Sequence, residues 1–155
     1  MRKSLALALV AAGACLSSCV GNRAYRLRRN ASVPGNIESV YRQRPGEPEY
    51  SIAFIEFDDR GELFNRKQLS NAVTTIREAK RTAFDRGIHD GAVIVLFVHG
   101  WKNNASDASA NVHSFRDSMM AVAQSSRVLV GGKPVPRPVV GVYVAWRGEI
   151  GRAHV

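Results

Sequence analysis

Ala92-Val-Ile-Val-Leu-Phe-Val98 runs straight into His99-Gly100-Trp101, and the chain then turns polar at Lys102-Asn103-Asn104. An apolar run without polar alternation is the pattern of a strand covered on both faces of a sheet. A second run of the same kind, Val139 to Ala145, closes on Trp146-Arg147-Gly148. The two are therefore expected to be adjacent parallel strands in the interior of one sheet. Each would hang an aromatic and a basic or polar group on its carboxyl end.

Working outward, Tyr50-Ser-Ile-Ala-Phe-Ile-Glu-Phe57 is rich in β-formers, alternates in part, and reads as a third strand. Asp58-Asp59-Arg60-Gly61 is a turn. Leu69, Val73, Ile76, Ala79 and Ala83 recur at helical spacing through Arg66 to Arg86, and Gly87 stands where a C-terminal cap belongs. Another helical stretch carries Val112, Phe115, Met119 and Val122 on one side, with Ser106 or Asp107 placed to cap its start. Gly131-Gly132-Lys133-Pro134 breaks the chain, and Pro136 and Pro138 keep it extended. Strand, helix, strand, helix, strand is the order of an α/β fold, a parallel sheet with helices on both faces. Ligands gather beyond the carboxyl ends of such strands. His99-Gly100-Trp101 and Trp146-Arg147-Gly148 both fall there.

The first part of the chain reads differently. Arg2 and Lys3 precede the short apolar run Leu5 to Ala14 and then Leu16-Ser17-Ser18-Cys19. A basic start, a short apolar core and a small-residue exit make a secretory signal over residues 1–18. The run falls short of the roughly 20 residues that span a bilayer. Both cysteines lie within the first 19 residues, so a mature chain beginning at Cys19 forms no internal disulfide. The net charge is +9. Between Asn22 and Gly46 stand six arginines (Arg23, Arg26, Arg28, Arg29, Arg42, Arg44) against one acid, Glu38, with Pro34, Gly35, Pro45 and Gly46 among them. Residues 19–49 read as a basic tether and residues 50–155 as the folded domain. The charge suits anionic head groups. It would also suit nucleic acid, but no recognition motif accompanies the arginines and export argues against that partner, so no nucleic acid is expected.

Two resemblances attach to these residues. Leu16-Ser-Ser-Cys19 resembles the lipobox of bacterial lipoproteins, which implies lipid attachment at Cys19 and a membrane anchor. Cys15 fits less well, since Ala12 stands where leucine is usual. Val20 follows Cys19 instead of aspartate, which implies the outer membrane of a double-membrane bacterium, facing the periplasm. "LFVHGWKNNA", a helix and then "VGVYVAWRG", with "AFIEFDDRGELFNRKQL" upstream, resembles the N-terminal half of an α/β-hydrolase of the uncharacterised bacterial esterase/lipase-like group, over Tyr50 to Gly148. That resemblance implies an acyl-ester substrate, no cofactor, and an oxyanion loop in which the Trp101 N–H is the donor. Gly100 would let the backbone turn and approach substrate, and His99 would brace the loop through its ring nitrogens. Lys102, Asn103 and Asn104 would line the mouth. Taken without the neighbouring segments, His99 and Trp101 would read as a satisfied strand-end histidine and a packing residue. Trp146 suits a core wedge, and Arg147 a partner for a loop acid.

In that fold the nucleophile sits on a Gly-x-Ser-x-Gly elbow, followed by an acid and a histidine. No such elbow occurs here. The nearest match, Gly87-Ile-His-Asp-Gly91, has His89 in the centre and precedes the His-Gly strand. A phosphate loop is excluded because Arg127 and Pro134 stand where Gly132-Lys133 would need a glycine and a hydroxyl residue. No Cys/His spacing suits zinc. The sequence thus reads as a hydrolase-like fragment with an oxyanion loop but without the Ser/Asp/His triad, inactive alone. A partner chain is expected to cover its open sheet edge. The alternative is a non-catalytic envelope lipoprotein that binds through the half-sheet or the arginine-rich stretch.

Overall fold

A computed structural model describes residues 24–26, 40–42, 49–58, 60–99 and 103–146. Its elements are β1 (Val40–Arg42), β2 (Tyr50–Phe57), α1 (Arg66–Asp85), β3 (Val93–Val98), α2 (Ala110–Ser125), β4 (Arg127–Val130), β5 (Lys133–Pro136) and β6 (Val139–Trp146). The main sheet has the order β1-β2-β6-β3, and β4 and β5 form a separate two-stranded ribbon. β6 pairs in parallel with β2 on one side and β3 on the other, while β1 runs antiparallel along β2. The protein therefore has mixed α/β character, with three parallel strands and helices packed on them.

Each helix owns one face of the sheet. Strand residues alternate between faces, so Ile52, Phe54, Val139, Tyr143 and Ala145 meet Val112, Phe115, Met119 and Ala123 of α2. Ala53, Ile55, Val140 and Val142 meet Ala72 and, more loosely, Ile76 and Ala79 of α1. Ile52, Phe54 and Met119 are wholly buried, each contributing about 1.5–3 kcal/mol by leaving water. Gly141 sets how closely α2 can approach. A Cβ there would stand 2.8 Å from Phe115 Cε1 and 3.1 Å from Met119 Sδ, so any other residue would force those side chains to shift.

α1 starts at Asn65, whose side chain accepts from the Lys67 N–H, and stops at a glycine as expected. Gly87 has φ +71°, its N–H donates to Phe84 O, and the Ile88 N–H reaches back to Ala83 O. This paired closure needs a left-handed residue after the cap. α2 departs from expectation. Its N-cap is Ser109, not Ser106 or Asp107, because those two are engaged elsewhere: Ser106 Oγ accepts from the Ala108 N–H and Asp107 pairs with two arginines.

The interior placement of the first apolar run is corrected by the topology. β3 does lie parallel beside β6, but among the described residues it is the outer strand of the sheet. Val93, Val95 and Phe97 pack toward the α2 side, whereas Ile94, Leu96 and Val98 on the opposite side are 43%, 66% and 51% exposed. α1 lies chiefly over β2 and β6 and does not extend across β3. Of the stretch read as tether, residues 24–26 lie against the domain and Val40–Arg42 joins its sheet.

Candidate functional site

Because β2, β6 and β3 run parallel, their carboxyl ends (Phe57, Trp146 and Val98) meet on one edge of the sheet. His99, the first residue past β3, ties two of those ends together. Its N–H donates to Val144 O at 3.3 Å, continuing the ladder with β6. Its ring then turns back, and Nε2 accepts the Trp146 N–H at 3.0 Å, where the next backbone carbonyl would otherwise serve. The ring stacks on the Trp146 indole with centroids 4.6 Å apart and 28° between planes, and it is wholly buried. An accepting Nε2 carries no proton, so the neutral ring has its proton on Nδ1. A buried ring used in this way positions the backbone on either side of it and presents no face to a ligand. Trp146 is 37% exposed, so it is a half-open stacking partner and not a core wedge. Gly100, Trp101 and Lys102 follow His99 directly and, like Cys19 and Arg147, lie outside the described residues.

The loop is picked up again at Asn103 and Asn104, both half-buried. Asn104 Oδ1 accepts the Ser106 N–H at 2.8 Å, making a local turn, and its carbonyl accepts the Tyr143 hydroxyl at 3.1 Å. Asn104 is therefore an anchor of the loop. Burial raises the Tyr143 hydroxyl above its ordinary pKa, with the Ser109 hydrogen bond and the nearby Arg26 charge opposing it.

Beside this loop lies a set of residues that sequence reasoning did not single out. The Glu56 carboxylate, 2% exposed, accepts the backbone N–H groups of Tyr25 at 2.7 Å and Arg26 at 2.9 Å, and also Gln68 Nε2 at 2.9 Å. Gln68 Oε1 in turn accepts the Glu56 N–H. The Arg26 side chain is 5% exposed; its Nε donates to Ala105 O at 2.6 Å and its Nη1 to Asp107 at 2.8 Å. Its guanidinium lies 3.8 Å over the Phe54 ring. Asp107 also takes Arg116 at 2.8 Å. Burial lowers the Arg26 pKa against the pull of Asp107 and Glu56. Burial would raise Asp107, but Arg26 and Arg116 together hold it below the ordinary carboxylate value. Arg26 Nη2 is buried with no acceptor among the described residues. One signal was available in the sequence: Glu56 is the only acid in a strand whose other residues are apolar or small.

Tyr25, Glu56, Phe57, Phe64, Ala105, Ala145 and Trp146 line a tight cleft on this edge with no room for even a water-sized molecule, unlike a small-molecule pocket of several hundred Å³. A larger but still small cleft of about 60 Å³ lies at the opposite edge, among Glu49, Tyr50, Thr75, Glu78, Pro138 and Val139. It holds none of the residues singled out above. Among the described residues no group of His, Cys, Asp or Glu could hold a metal ion. No helix among them is long and apolar enough to cross a membrane. No protein-family model matches this chain, and no curated protein or solved structure matches it either.

Proposed function

We propose that this chain is an exported lipoprotein, lipid-anchored at Cys19 on the periplasmic side of the outer membrane. Its α/β domain is the oxyanion-loop half of an esterase/lipase-like serine hydrolase of acyl esters. The observation that carries the reading is the contact between the His99 ring and the end of β6. It fixes the point from which Gly100 and Trp101 depart, and a donor aimed at a developing oxyanion works only from a fixed point. Such a preorganised N–H lowers an acyl-transfer barrier by about 3–4 kcal/mol. The Trp101 N–H is that donor in this reading, Gly100 gives the backbone room to turn, and His99 is a positioning residue and not a base.

A nucleophile is needed for the oxyanion to form, and no Gly-x-Ser-x-Gly elbow occurs in these residues. They are therefore expected to hydrolyse no ester at an enzymatic rate. The triad would come from a further segment or partner chain seated on the open β3 edge. Even a complete pocket without its triad retains only about 10³–10⁴-fold over water. The full chain, purified with detergent, is assayed against short-chain p-nitrophenyl esters beside Trp101→Pro, which deletes the proposed donor. The expected result is no turnover above buffer in either. Robust turnover abolished by Trp101→Pro would place a nucleophile within these residues and overturn the fragment reading.

A further inference from the structure

We infer that the carboxyl edge of the parallel sheet, with the His99 and Trp146 end of the domain, is a membrane-facing surface, and that the partner it meets is an anionic lipid bilayer. The inference rests on the lipid-anchor reading of Cys19 and deepens it.

Ala24 is 6% exposed, and the two residues after it are tied to the edge by four polar contacts, two from backbone N–H groups to Glu56 and two from the Arg26 side chain to Ala105 and Asp107. Stacking of the guanidinium on Phe54 adds a fifth. A segment held in this way is part of the domain and not a loose tether. From Cys19 to Ala24 there are five residues of chain, which at full extension reach about 18 Å. The anchor therefore cannot lie farther than that from the point of attachment.

The attachment point is on the carboxyl edge itself. Glu56 and Phe57 end β2, Phe57 is the register partner of Trp146, and Tyr25 and Trp146 line the same cleft. The amino edge of the sheet lies a strand's length farther off, about 25 Å for an eight-residue strand. An anchor of short reach attached at one edge keeps that edge nearest the lipid. Arg23, Arg28 and Arg29 flank the tied segment in sequence, which supplies charge complementary to anionic head groups.

Trp146 is a ready reporter, since the chain has only Trp101 and Trp146. The full chain is made with Trp101→Phe and Cys15→Ser, so that Cys19 is the single thiol, and Cys19 is coupled to a maleimide phospholipid in vesicles containing phosphatidylglycerol. Energy transfer is then read from Trp146 to dansyl head groups. The same protein with about 20 Gly/Ser residues inserted between Val20 and Gly21 is the comparison, since such a linker wanders about 25 Å. The expected result is strong transfer at native spacing that falls at least twofold in the insertion protein. Arg26→Gln with Glu56→Gln, which unties the segment, is expected to fall similarly while keeping its far-ultraviolet dichroism. Equal transfer in the native-spacing and insertion proteins would overturn the geometry. Palmitate labelling of the wild type but not of Cys19→Ser in cells reads the anchor separately, so absent labelling overturns the lipoprotein reading and not the geometry.

Discussion

β3 and β6 are neighbours in the sheet and nearly alike in composition, yet their side chains have different surroundings. Leu96 and Val142 are direct register partners and share the α1 side of the sheet. Val142 is 5% exposed and Leu96 is 66% exposed. The helix that shields one stops short of the other. An unbroken apolar run therefore specifies a strand able to be buried on both faces, and neighbouring elements decide whether it is. On β3 the run has no lysine, proline or bulge of the kind that usually blunts an outer strand.

A carboxylate placed at each of these two positions in turn separates the strands most sharply. Val142→Asp puts an unpaired charge under α1 and is expected to lower stability by more than about 4 kcal/mol or to abolish cooperative unfolding, as followed by urea titration. Gly141→Ala, one residue away on the α2 side, forces Phe115 and Met119 to move and is expected to cost about 1–3 kcal/mol in the same titration. Leu96→Asp is expected to change stability by no more than about 0.5 kcal/mol while reducing self-association in sedimentation. A Leu96→Asp loss as large as that of Val142→Asp would mean that the outer face of β3 is covered in solution.

Where periodicity was long and unambiguous, the elements were legible in the sequence. Tyr50–Phe57, both helices and the two apolar strands were all expected, with α1 ending one residue earlier than anticipated. The β4–β5 ribbon was not, because its strands are four residues long and β5 contains Pro134 and Pro136, which weaken any strand signal. Gly131-Gly132 read as a break, whereas both residues have positive φ and form the two-residue turn of a hairpin. β1 is three residues long and has no pattern of its own.

The candidate site was legible only in its histidine. His99 stood out because a polar aromatic residue ended a wholly apolar strand. Arg26 did not, because it is one of several arginines in a short stretch and nothing local marks it as the buried one. What distinguishes it is Glu56, Ala105 and Asp107, which come from segments 30 to 81 residues away. Long-range partners of this kind leave no periodic trace.

The place of β6 also has a bearing on time. Among the described residues it is the last strand in sequence, yet it lies between β2 and β3, which do not pair with each other. As the polypeptide is synthesised, β2, α1, β3 and α2 all emerge before the strand that joins them. None of the parallel pairing of this sheet can form until Val139–Trp146 has been made, and loop closure over so long a separation is slow. The late arrival of one central strand leaves β2 and β3 without their parallel partner for most of the synthesis of the described residues.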